Sequence, residues 1–275
     1  MTERQLAAFA DDHRYKMQFD TSPRYLAGPG DARHVTHALS AAGWTNHSDP
    51  ASPTVRLTSP DYQVRLQLDP QSSTSAWWRL TSEPIDGPGW CAEFGELVPA
   101  EILAGLTDAL TSPAPDSVPG VWPVLAAAGW TCILHEDGTG QALSPDQHLR
   151  VQRVRYGEGD GSCIWRAEAS GTEAYELPIW HAWLRDTIPA HLLTGFAAAL
   201  AGPEPVQRGM YDRTGHHSVT QERSTLTGEQ VVAAHISRLD AVRARARTAR
   251  RRQKLSAHAS PAPARPVATP AARSR

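Results

Sequence analysis

Apolar side chains at Val35, Ala38, Leu39 and Ala42 fall at i, i+3, i+4 and i+7, the spacing of one face of a short helix. The spacing returns at Val121, Val124, Leu125 and Ala128. Both stretches run into the same five residues, AAGWT, with Gly43 and Gly129 one position past the last apolar residue. A helix commonly ends there in a left-handed residue, which glycine adopts without a steric clash. Trp44 and Trp130 then occupy the position that folds back on the last turn, onto Leu39 and Leu125. The phrase predicts a helix stop closed by an indole. In the first copy the turn Gly28-Pro29-Gly30 leaves Asp31 as the expected N-cap.

Beyond each tryptophan the period changes to two. Val55 and Leu57, then Val64, Leu66 and Leu68, alternate with polar residues about the turn Ser59-Pro60-Asp61, which predicts a hairpin. Leu149 and Val151 follow a second such turn, Ser144-Pro145-Asp146. Further strands are expected at 77–82 and 90–94, and again at 164–169 and 180–184. Each set closes with a proline-initiated helix: Pro99 before Ile102, Leu103, Leu106 and Leu110, and Pro189 before Leu192, Leu193, Phe196 and Leu200. Trp78-Arg79 aligns with Trp165-Arg166, and the four motif offsets are 86, 85, 87 and 90 residues. The expected fold is α+β, with two pseudo-repeated modules at 20–115 and 116–208. Each is an antiparallel sheet of about four strands flanked by helices. Residues 1–19 are an N-terminal extension and 209–226 a linker.

The C-terminal segment has a different pattern. A capping box at Thr227 and Gln230 opens a helix over 227–255, with Val231, Val232, Ile236, Leu239, Val242 and Ala246 on one face. Arg243, Arg245, Arg247, Arg250, Arg251, Arg252 and Lys254 then arrive on every side. Residues 256–275 have the Ala, Pro and Arg composition of a disordered tail. Over the whole chain 27 Lys and Arg nearly balance 29 Asp and Glu. That balance hides an excess of twelve acids in residues 1–237 and of ten bases from Arg238 onward. Such an arm seeks a polyanion or folds back on its own acidic body. The chain has no run of apolar residues long enough to span a membrane and no secretory leader, so a cytoplasmic location is expected.

Taken together, "SPRYLAGPGDARHVTHALSAAGWT", the Ser-Pro-Asp turn, "WWRL", "PAEILAGLTDAL" and their second copies resemble the actinomycete, mainly streptomycete, family called Domain of Unknown Function 317, over roughly residues 20–208. The resemblance implies a paired α+β module and supplies no activity, cofactor or catalytic residue.

Candidate chemistry is sparse. Gly28-Pro29-Gly30 lacks the third glycine and the Gly-Lys-Ser/Thr of a phosphate loop, and an ordinary turn explains it. His34 and His37 lack a third ligand in a recognisable frame, so no metal is expected and solvent-facing helix histidines are. Cys91, Cys132 and Cys163, wide apart and odd in number, are read as reduced thiols. No catalytic residue and no cofactor is assigned. Gly43, Trp44, Gly129, Trp130, Trp78 and Trp165 have structural roles. Arg65, Arg79, Arg150 and Arg166 stand on the strand face opposite the apolar rows, as a candidate anionic-ligand face or a solvated surface. The expectation is a non-catalytic binding or interaction protein. Its C-terminal arm makes weak, non-specific contact with nucleic acid, and a protein partner is also open. The alternative is an enzyme or sensor that holds a small anionic ligand in a cleft between the modules.

Overall fold

The structure, a computed structural model, describes residues 2–74, 76–85, 87–157, 162–171 and 177–259, the side chains of 252–259 excepted. The chain opens with α1 (Glu3–His13) and β1 (Gln18–Ser22). The first repeat follows as α2 (Arg33–Ala41), β2 (Thr45–Asn46), β3 (Val55–Thr58), β4 (Val64–Leu68), β5 (Ala76–Ser82), β6 (Trp90–Gly95) and α3 (Ala100–Leu110). The second is α4 (Val121–Ala127), β7 (Thr131–Leu134), β8 (Gly140–Leu143), β9 (Leu149–Arg155), β10 (Cys163–Ala169), β11 (Trp180–Arg185) and α5 (Ala190–Ala201). β12 (Val206–Gly209), β13 (Thr220–Arg223) and α6 (Gly228–Ala259) complete it.

The fold is α+β with antiparallel sheets, and each repeat contributes five strands where about four were expected. The extra strand follows the tryptophan latch. The two repeats share one ten-stranded sheet in the order β2-β3-β4-β5-β6-β11-β10-β9-β8-β7. The last strand of each copy meets the other at the centre, where Glu93 pairs with Trp183, Ala92 with Leu184 and Phe94 with Ala182. Glu93 and Trp183 hold equivalent positions in the two copies, so the sheet's pseudo-twofold axis passes through that pair. The helices cover one face. Over the axis on that side α3 crosses α5 at Gly105 and Gly195. A Cβ on Gly105 would lie 2.5 Å from the Gly195 carbonyl oxygen and 2.4 Å from the Ala199 Cβ. Phe94 meets Phe196 edge-on beneath the crossing, with ring centroids 5.6 Å apart.

The AAGWT latch forms twice in the same way. Gly43 and Gly129 have φ of 95° and 82°, and the Trp44 and Trp130 amides donate to the carbonyls of Leu39 and Leu125 at 3.0 and 3.1 Å. Both indoles are buried in one core with Trp78, Trp90, Trp165 and Trp180. The Ser-Pro-Asp turns match as well. Ser59 Oγ and Ser144 Oγ donate to the aspartate two residues on, and each accepts the amide of the residue five on, at 2.9 Å. Asp31 Oδ1 accepts the Arg33 amide at 2.8 Å, although the helix cap itself falls on Ala32.

Outside the repeats, β1 pairs with β12 on one side and β13 on the other, forming a small sheet. The segment read as a linker therefore carries β13 and the end of β12. α6 begins with the expected capping box, Thr227 with Gln230, and packs along α2 and α1. Its docked face is Val232, His235, Leu239 and Val242, with Leu239 fully buried. Ile236, counted on that face from the sequence, is exposed. Residues 260–275, most of the expected disordered tail, lie outside the described residues.

Candidate functional site

Because helices cover only one face of the central sheet, the other face is open. Strand alternation puts Arg56, Arg65, Arg79, Arg150, Arg166 and Arg185 there. Registers then place several of these residues side by side. Arg56 stands opposite Gln67, Gln67 opposite Arg79, and Arg79 opposite Glu93. Across the axis Glu93 stands opposite Trp183, Trp183 opposite Arg166, and Arg166 opposite Gln152. One row thus crosses seven strands, with Gln67-Arg79-Glu93 on one side mirrored by Gln152-Arg166-Trp183 on the other. Neighbours in such a row are about 5 Å apart at Cβ, within reach of one another and of one ligand.

The copies differ at the axis, and the difference changes how each arginine is held. Arg79 Nε donates to Glu93 Oε1 at 2.7 Å. In the second copy tryptophan replaces that glutamate, and the Arg166 guanidinium lies 5.2 Å from the Trp183 ring centroid. Arg166 also pairs with Glu168, and its Nε is buried without a hydrogen-bond partner among the described residues. Arg65 lies 3.5 Å from Glu83 across an exposed contact. Arg56, Arg150 and Arg185 form no ion pair among the described residues. The strands' own acids here, Glu93 and Glu168, leave a surplus of arginine.

Around Arg166 and Trp183 the face deepens into a groove of about 920 Å³, also lined by Cys91, Tyr156, Ile164 and His181. Trp183 is 37% and Tyr156 64% exposed, so two aromatic side chains are available to a ligand in or beside it. Burial pulls the His181 imidazole below its ordinary value, against the raising effect of Glu168. Cys91 and His181 occupy equivalent places on β6 and β11. The antiparallel register sets them four residues apart along the strands, roughly 13 Å. Backbones that far apart keep thiol and imidazole out of hydrogen-bond reach, so the pair cannot act as nucleophile and base. Among the described residues no group of three or more His, Cys, Asp or Glu is placed to hold a metal ion.

The structure thus brings Arg79 and Arg166 into one row, with Arg65 and Arg150 on the same face. Sequence reading missed Trp183 and the central position of Glu93. Their equivalence, 90 residues apart, was readable; the pairing of β6 with β11 was not.

The basic helix is more engaged than its sequence implied. Arg238 donates to both oxygens of Asp108, at 2.8 and 3.0 Å, and to the His34 carbonyl at 2.7 Å. Arg250 donates to the Ala42 carbonyl at 3.0 Å, at the negative end of α2. Arg243 pairs with Asp240 at 2.6 Å, and Arg247 Nε donates to the Arg243 carbonyl at 3.3 Å. Arg245 and Arg251 are exposed. The side chains of Arg252 and Lys254 lie outside the described residues. The histidines of α2 also differ from expectation. His37 is buried beneath α6, with Nδ1 3.2 Å from His235 Nε2, and His34 faces a cavity under the same helix. Both were expected in solvent; α6, two hundred residues away in sequence, covers them.

Among the described residues no helix is long and apolar enough to cross a membrane. No curated protein and no solved structure matches the chain. Residues 58–116 and 143–206 match the family described as SPDY: Domain of unknown function (DUF317). Each match begins one residue before a Ser-Pro-Asp turn and runs past the closing helix, a narrower span than the resemblance over 20–208. The DUF317 model thus matches the chain twice, once in each half of the central sheet, consistent with two tandem copies.

Proposed function

We propose that the protein is a non-catalytic binding protein whose open sheet face receives single-stranded nucleic acid. The observation that carries this reading is the row through the pseudo-twofold axis, in which Arg79 and Arg166 flank Glu93 and Trp183 beside a groove with exposed aromatic rings. Arginines track a phosphate backbone, and an indole stacks on a base of any sequence. The strand spacing favours an extended ligand laid across the sheet over a compact one.

The basic helix has a supporting part in this reading. Arg245 and Arg251 project from α6, while Arg238 and Arg250 hold the helix to the body. Sequence-tolerant contact through these side chains adds to the sheet face and does not replace it.

Fluorescence anisotropy with a labelled oligothymidylate, at two salt concentrations, tests the proposal. The double variant Arg79→Ala with Arg166→Ala should flatten the log–log salt slope by about 1.4, at roughly 0.7 per phosphate contact on a single strand. Trp183→Ala should weaken binding by about 1–3 kcal/mol at either salt concentration. The double variant Arg245→Ala with Arg251→Ala, both exposed on α6, leaves the docked face of the helix in place and separates the sheet from the arm. Were the two face variants to bind like the parent, the sheet-face reading would fail; loss on the helix variant alone would move the site to the arm.

A further inference from the structure

The cavity that His34 faces carries an inference independent of the sheet. It holds about 330 Å³ between the body and the two helices outside the repeats, α1 and α6. That volume sits at the small end of ligand pockets, which run from roughly 300 to 1,000 Å³. Phe9, Val206, Leu226 and Val231 give it an apolar wall.

The charged groups around it are already satisfied. Arg208, fully buried, donates to both oxygens of Glu101 at 2.7 and 2.9 Å and to the carbonyls of Ala27, Gly28 and Gln207. Asp31 holds His13 at 2.7 Å and the Arg33 guanidinium. Arg238 is matched by Asp108. Arg24 gives its donors to the carbonyls of Ala199 and Glu204, and Asp212 accepts from Lys16 and the Gly209 amide. A charged occupant would enter without a free counter-charge, at a desolvation cost.

One neutral side chain is left over. The His34 ring nitrogens bond to nothing among the described residues, and burial beside Arg238 lowers the ring's affinity for a proton, leaving one donor and one acceptor. An occupant that can donate or accept a hydrogen bond satisfies that ring, which an apolar one leaves unpaired.

We propose that this cavity binds a small uncharged molecule with one ring-sized apolar body and an amide or hydroxyl head. The head bonds to His34, and the body lies against Phe9, Leu226 and Val231. Because α1 and α6 form two of the walls, the occupant also ties the C-terminal helix to the body.

Benzamide is the probe, with benzoate, benzylammonium and toluene as matched comparators, each titrated into the full chain by calorimetry and thermal shift. Benzamide should bind saturably, about tenfold or more tighter than any comparator. His34→Phe should weaken it about fivefold or more. Ala234 is exposed at the rim, so Ala234→Phe should block binding and leave the melting temperature of the empty protein unchanged. Absence of benzamide binding overturns the proposal. Equal binding by a charged comparator, by toluene or by the rim variant also overturns it. None of these outcomes touches the sheet face.

Discussion

The two halves of the sheet share their hairpin turns, their glycine-tryptophan latches and their proline-initiated closing helices, yet only one is covered from outside. α2 lies beneath α6 and carries His34 and His37 on the covered side. Gly120 and Pro123 hold the equivalent positions in the second copy, where Pro123, Ala126 and Ala127 are exposed. Features common to both copies build the sheet, its core and its axis. Features found in one copy mark where the protein has acquired something further: a docked helix and a cavity on one side, and at the axis a tryptophan in place of a glutamate.

The most damaging way to test that division is to remove the latch from each half in turn. Trp44 and Trp130 are 7% and 6% exposed, in one continuous core. Trp44→Ala and Trp130→Ala should each cost about 3–5 kcal/mol by urea unfolding. The two losses should agree within about 1 kcal/mol; a wider gap would mean that the copies use the latch differently.

The axis itself comes next. Gly105→Ala and Gly195→Ala each drive a methyl into the facing helix, and Gly195 Cβ would meet the Gly105 carbonyl oxygen at 2.5 Å. Overpacking of this kind costs about 1–3 kcal/mol. Both variants should lose stability to a similar degree, as measured by denaturant midpoint, since both act on one crossing. A loss confined to one of them would show that the crossing is not shared evenly.

Acid should separate the covered half from the uncovered one. Burial, reinforced by the Arg33 charge and partly offset by Asp31, holds His37 down to about 4. Burial together with His37, His34 and Arg238 holds His235 down to about 3, again against Asp31. Unfolded, both imidazoles take a proton near 6.5. The stability conferred by the neutral pair is therefore complete above that pH and is lost as pH falls toward 4. Hydrogen exchange should show α6 and α1 opening over this window while α4 and α5 stay protected. His235→Gln should flatten the dependence, and a flat profile in the parent chain would remove the histidine pair as its cause.

How far the sequence discloses these regions follows from the range of the interactions involved. The latch is local: Gly43 and Trp44 act on Leu39, five residues away, and the spacing alone announces it. The outward arginines are nearly as accessible, because alternation along one strand fixes which side Arg65 or Arg166 takes. The centre of the sheet is not. Ala92, Phe94, Ala182 and Leu184 alternate as well for an edge strand as for a central one, and nothing nearby selects the partner. The fifth strand of the first copy, Thr45-Asn46, is exposed and too short to show a period. His34 and His37 look solvent-facing until α6 arrives over them. The cavity there depends on Leu226 and Phe9, which no local pattern joins.

The smallest effect is expected at the axis on the open face, where the copies differ most in chemistry. Trp183→Glu restores the residue of the first copy, so Arg166 would exchange a cation–π contact for an ion pair like that of Arg79 with Glu93. An exposed cation–π contact is worth about 0.5–1 kcal/mol and an exposed ion pair about 0–1 kcal/mol, so the stability change should stay below about 1 kcal/mol. Glu93 stands directly opposite, and two carboxylates face to face account for what loss there is. Urea midpoints of the variant and of Trp183→Gln separate that repulsion from the lost ring. If Trp183→Glu instead unfolded the protein, Trp183 would have to be holding the two halves together, and its exposure at the axis could not be assigned to a ligand.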